Sequence, residues 1–254
     1  GSLNLEEDFL IGNPEIKEFY LENDFGSIEL KGSQKDKIDI DYTLKVYAED
    51  KTAAEEFIED LEVIYSLKGV KIKISLNKSQ TKTPELINVV KIDYRITIPE
   101  KLKSSLFNQY GLLKVSDLKS ELKANNRYGS TLVKNIAEAV EMNLAFGNSE
   151  IYDLDSTLDL ETAYSENTIK NINGKFNLEN SYGFNKIENL ESDLIINSRY
   201  GGAEIFAAKN IDIKSSYTGF AFKNILGKIT ADIEFGDLKF SQITDLDLEL
   251  RYAD

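Results

Sequence analysis

The chain has 254 residues, 41% hydrophobic and 29% charged, with 44 acidic against 30 basic side chains and a formal net charge of −14. This is the balance of a folded chain with one large core or two modest ones, and its charge opposes phosphate backbones and anionic lipid heads, so nucleic acid and direct anionic membrane binding are not expected. Histidine, cysteine and tryptophan are absent, which excludes disulfides, thiolate nucleophiles, histidine triads and the usual zinc sites; no metal and no cofactor is expected.

No apolar run approaches the roughly 20 residues of a membrane helix. The N-terminus shows no basic segment followed by an apolar stretch. Gly1-Ser2 reads as a cloning remnant, so this says nothing about a leader. Phe25-Gly26, followed by SIELKG and KIDIDYTLKVY, looks like an opening strand rung. TAAEEFIEDLEVIYS, near residues 52–66, is the one helix expected: Thr52 and Glu55 have capping-box spacing. Phe57, Ile58, Leu61 and Ile64/Tyr65 form an apolar stripe, and Gly69 stands just past the end. VKIKISL and INVVKIDYRITI alternate as strands do. Residues 1–104 are therefore expected to form a β-rich cap on the remainder of the chain, because the first rung of a repeat array otherwise exposes strand edges.

From residue 105 the chain repeats. An aromatic residue, usually followed by glycine, recurs at Tyr110, Tyr128, Phe146, Tyr164, Tyr182, Tyr200, Tyr217, Phe235 and Tyr252, at intervals of 17 or 18. Aligning the units on it produces four apolar columns, headed by Val115, Leu118, Leu122 and Ala124. Residues 127–147, RYGSTLVKNIAEAVEMNLAFG, look helical in isolation. Their siblings LDLETAY, FNLENSY and IDIKSSY are strand-like, and stacked neighbours impose that register. A unit this short suits one rung of a β-solenoid. The apolar offsets of 0, 5, 8, 12 and 14 do not fit a hexapeptide left-handed helix. The expected fold is all-β, a single-stranded right-handed β-helix over 105–254. Even spacing from the last two columns to the aromatic places that ring inward, with core packing as its role rather than sugar stacking. The glycine after it fits a corner needing positive φ or close backbone approach.

The early Phe-Gly strand, the acidic helix, the KIDYRITIP strand and the N-x-Y-G units together resemble the "putative adhesin" family of bacterial envelope β-helix proteins. The chain is similar also to the head domain of autotransporter adhesins, most specifically over residues 88–201. The resemblance implies a right-handed β-helix exported to the cell envelope, periplasmic or at the cell surface, and supplies no catalytic motif.

Candidate sites are sparse. Asp117, Asn135, Asp153, Asn171, Asn189, Ala207, Asn224 and Gln242 form a column seven places after the aromatic. Its mixed charge suits turn and inter-rung hydrogen bonding better than calcium. Asp153 and Asp159, in DLDSTLDLE, are the carboxylates a polysaccharide hydrolase would use on such a face, although their alternation with core residues makes them solvating groups. Arg127 and Arg199, each just before the aromatic, should face solvent as possible ligand contacts. The function expected is a non-enzymatic adhesin or surface scaffold meeting a glycan or protein ligand. The alternative is a carbohydrate-active β-helix protein, pectinase-like or glycan-binding. Asp245, Asp247 and Glu249 on the last strand should oppose parallel self-stacking, so a monomer is expected.

Overall fold

A computed structural model describes residues 2–11, 15–49, 51–59, 61–68, 71–77 and 87–252. Residues 127–147 supply two strands, Thr131–Ile136 and Val140–Ala145, with no helix between them. Each rung carries two strands, and each strand pairs in parallel with its counterpart one unit away. Leu122 thus faces Val140, Val140 faces Leu158, and Leu158 faces Phe176. Thr131–Ile136 pairs in the same way with Leu113–Leu118 and Asn148–Leu154. The result is a β-solenoid of about eight turns. Its four apolar columns fill the interior, and no member before the last rung is more than 4% exposed. The shortened unit is absorbed at a turn, since Leu194 still faces Ile211 and Ile196 still faces Ile213.

The stacking begins before residue 105. Strands Glu18–Phe25 and Ile28–Ser33 form a rung seated directly on Lys103–Tyr110 and Leu113–Leu118, with Phe25 facing Tyr110. The expected division at 104/105 falls inside the strand Lys103–Tyr110. The described residues between 34 and 102 thus form an excursion that returns to cover the outer side of this first rung. Ile87–Pro99 lies parallel to Ile28–Ser33, and Lys71–Asn77 lies parallel to the start of Glu18–Phe25. An antiparallel layer of Ser2–Ile11, Ile38–Ala48 and Ile87–Pro99 completes the cover.

The helix is shorter than expected. It spans Lys51–Glu59 and buries Ala54, Phe57 and Ile58, while Glu62–Lys68 is a strand paired antiparallel with Lys71–Asn77. Val63, Ile64 and Tyr65 are β-branched or aromatic, and an adjacent strand partner outweighs the helical spacing that Ile64 and Tyr65 share with Leu61. Thr52 accordingly sits within the helix rather than at its N-cap. Gly69 lies outside the described residues.

One ionic cluster fastens the cover to the first rung. Asp93 accepts hydrogen bonds from the Ser27 amide (2.9 Å) and hydroxyl (2.6 Å), and lies 2.9 Å from Lys91 Nζ and 3.8 Å from Lys45 Nζ. Burial pushes its carboxyl upward, but the Ser27 hydrogen bonds and Lys91 together outweigh burial and hold it below the usual carboxylate range. A depressed folded-state value stabilises the fold above the unfolded carboxyl's range and stops doing so as pH falls through the folded one. Asp93→Asn should therefore be about 1 kcal/mol less stable than the parent at pH 7 in urea unfolding. The difference should shrink as pH falls below the ordinary carboxylate range.

Candidate functional site

From Asp117 onward the rungs turn at two corners, and both use a residue in the left-handed region. From Tyr128 to Tyr252 the repeating aromatics have φ of 53–57°; the Asp/Asn column, from Asp117 to Gln242, has φ of 55–62°. This corrects the inward placement of the aromatic column. A left-handed residue breaks the in-out alternation of the strand it ends, so counting by two from the core columns no longer gives the ring's direction. The rings stand outside. From Phe25 to Phe235 they are 38–52% exposed, stacked 4.8–5.1 Å apart with interplanar angles of at most 12°. The ladder extends to Tyr252, 4.9 Å from Phe235.

The adjacent glycine is needed for close approach. A Cβ on Gly129 would lie 1.9 Å from Gly111 O, and one on Gly147 would lie 2.0 Å from Gly129 O. Among the described residues, positive φ belongs to glycine only at Gly26 and Gly111, in the first two rungs.

Inside the aromatic corner runs a second ladder that the sequence reading missed. Asn23 donates to Asn108, which donates to Asn126; Asn126 Nδ2 reaches Ser130 O (2.9 Å) and Thr131 Oγ1 (3.0 Å). Further along, Ser149, Asn167 and Asn185 form a chain, as do Thr162, Asn180 and Ser198. These buried side chains satisfy one another and corner carbonyls where the turn interrupts the sheet ladder. Asparagine two places before the aromatic, at Asn108, Asn126 and Asn180, is the signal that marks it.

The ladder forms one wall of an open groove of about 1180 Å³ running along several rungs. Tyr164, Tyr182 and Tyr200 contribute ring edges to that wall, and Phe184, Gly202 and Gly219 lie in the floor. Glu166, Glu204, Asp237 and Lys239 supply the charges. Stacking covers the ring faces within the ladder, so the wall offers edges and tyrosine hydroxyls rather than flat platforms.

The four residues singled out from sequence do not converge. Arg127 and Arg199 occupy one register column four rungs apart, both exposed, on the flank of the ladder away from the groove. The Arg127 guanidinium lies 5.8 Å from the Tyr128 ring centroid. Arg199 borders a separate depression of about 490 Å³ with Glu179, Lys214 and Asp232. Asp153 sits at the other corner, where it accepts a hydrogen bond from Asn171 (2.7 Å). Asp159 lies on the strand Leu158–Ala163 and accepts from Asn177. The neighbouring corner pair behaves alike: Asn135 donates to Asp117 (2.9 Å), and that bond is the main reason the Asp117 carboxyl is held low. Among the described residues no group of three or more acidic side chains is placed to hold a metal ion.

Exposed ring edges make a chemical expectation. Under limiting nitration, peptide mass spectrometry should find Tyr164 and Tyr182 modified well before Tyr42 and Tyr94, which are 4% and 3% exposed. Equal protection of all four would contradict the outward ladder.

No family model matches the chain, and no curated protein matches it. Among solved structures, the chain is similar to a "putative cell adhesion protein" from Clostridium sporogenes, with 11% identity and a TM-score of 0.34 over 87% of this chain and 99% of that one. It is also similar to a "putative lipid binding protein" from Parabacteroides distasonis, with 16% identity and a TM-score of 0.44 over 96% of this chain and 97% of that one.

Proposed function

We propose that this protein is a non-enzymatic recognition module of the cell envelope, an adhesin or surface scaffold whose working surface is the groove beside the aromatic ladder. The observation that carries the reading is the groove itself: an elongated, open surface whose repeating wall suits contact along a ligand rather than enclosure of a reacting bond. The carboxylates a hydrolase would use support the same conclusion. Asp153 and Asp159 lie on different parts of the rung and each accepts a hydrogen bond from an asparagine one rung on. Hydrolysis of a glycosidic bond instead needs two carboxyl groups flanking one bond. A polyanionic pectin would also meet a chain of net charge −14 and a groove bearing three carboxylates.

Two measurements test the proposal. Incubated with polygalacturonate and with neutral polysaccharides, the purified chain should release no new reducing ends. Cleavage lost in Asp153→Asn or Asp159→Asn would replace the proposal with a hydrolase. In fractionated source cells the native protein should appear in the envelope or surface fraction; a wholly cytosolic distribution would contradict it.

A further inference from the structure

Nearly every glycine in the solenoid is explained by a backbone conflict. At Gly26, Gly111, Gly129, Gly147, Gly183 and Gly201 an added Cβ would come within 2.5 Å of a carbonyl oxygen in a neighbouring rung. Gly219 has no such reason. Its φ is not in the left-handed region, and a Cβ there would find its nearest neighbour, Asp237 O, at 3.8 Å. Gly202 is constrained only by the Phe184 ring, whose edge carbons would lie 2.9 and 3.1 Å from a Cβ. Phe184, Gly202 and Gly219 are consecutive in one register column. The Phe184 ring thus lies over Gly202, and only the next rung lacks a side chain where the fold does not demand it, at Gly219, leaving a gap of about 5 Å, one strand spacing, beside the ring.

The surroundings define what fits. Phe184 is 42% exposed and, unlike the ladder rings, stacks on no other ring among the described residues. The carboxylates of Glu204 and Asp237, both exposed at the rim, make no hydrogen bond or close ion pair among the described residues, Glu204 having only the longer-range attraction of Lys186. That contrasts with Glu188, which is paired with Lys170 and Lys186 at 2.8 Å each. An apolar occupant would leave those carboxylates partly dehydrated without donors, an unfavourable exchange. An anionic occupant would meet repulsion. A pyranose ring satisfies both: its C–H face packs on the phenyl ring and its hydroxyls donate to free carboxylates.

We propose that the gap over Gly219, walled by the Phe184 ring and rimmed by Glu204 and Asp237, binds one uncharged pyranose residue of a glycan. The proposal rests on the recognition reading above and names its ligand class.

The test uses the intact chain on an array of neutral, amino and acidic glycans, followed by titration calorimetry with the best neutral oligosaccharide. Gly219→Leu fills the gap without a backbone conflict, and Phe184→Ala removes the platform. Each should weaken binding at least tenfold, and Gly219→Leu should unfold thermally as the parent does. Neutral glycan binding unchanged in a folded Gly219→Leu variant overturns the subsite, as does preference for acidic glycans or for a hydrophobic peptide. Absence of glycan binding by a protein that still coats cells or protein ligands overturns the subsite and leaves the recognition reading standing. Glycan cleavage overturns the recognition reading.

Discussion

The left-handed corner is the constraint on which this structure depends. An L-residue in that conformation costs about 1–2 kcal/mol relative to the right-handed alternative, and sixteen non-glycine residues among those described adopt it. Both kinds of corner carry contacts between rungs, Ala207 being an exception. At the aromatic corner, a ring stacked on the next contributes about 0.5–1.5 kcal/mol beyond area burial. At the opposite corner, Asn135 donates to Asp117, Asn171 to Asp153 and Asn189 to Asn171. Both contacts require the rung above to be in register. Stacking therefore supports the conformation that makes stacking possible, and the fold is cooperative along its axis in the way repeat arrays are.

The same corners create the surface. Because the aromatic is left-handed and points out, its rings form a wall rather than a core column. Where glycine follows it, as at Gly129 and Gly147, the corner sits against the carbonyl of its neighbour, so the base of that wall is narrow there. Where a further position also loses its side chain without a backbone reason, at Gly219, the wall borders a gap beside the Phe184 ring instead of a filled sheet face. The gap is thus a local change in a repeating pattern.

Much of the fold was legible because period and parity are read directly from spacing. The apolar columns headed by Val115, Leu118, Leu122 and Ala124 are the core, and Thr131–Ile136 and Val140–Ala145 are strands despite the helical propensity of Ala137 to Glu141. The ring direction was not legible. Parity assumes extended backbone throughout, and Tyr128, Phe146 and their siblings break it at the one position being counted. The end of the helix at Glu59 was hidden for a related reason: Ile64 and Tyr65 satisfy the helical stripe and the strand Glu62–Lys68 equally, and the pairing partner decides. Of the site, the glycines at Gly202 and Gly219 were visible as extra glycines. Their meaning required knowing that every other corner glycine has a backbone conflict and Gly219 has none.

The most direct test of the corner account is the order of stabilities when Tyr164 is replaced by Phe, Gly and Ala, measured by equilibrium urea unfolding. An exposed, stacked ring in a left-handed corner predicts that Phe is nearly neutral. Gly should lose the stacking but relieve the backbone, and Ala should lose the stacking and keep the strain, leaving it about 1 kcal/mol less stable than Gly. A core ring in a strand predicts the opposite: a loss of about 3–5 kcal/mol for Ala and a further 0.5–1 kcal/mol for Gly. Ala above Gly would contradict the account.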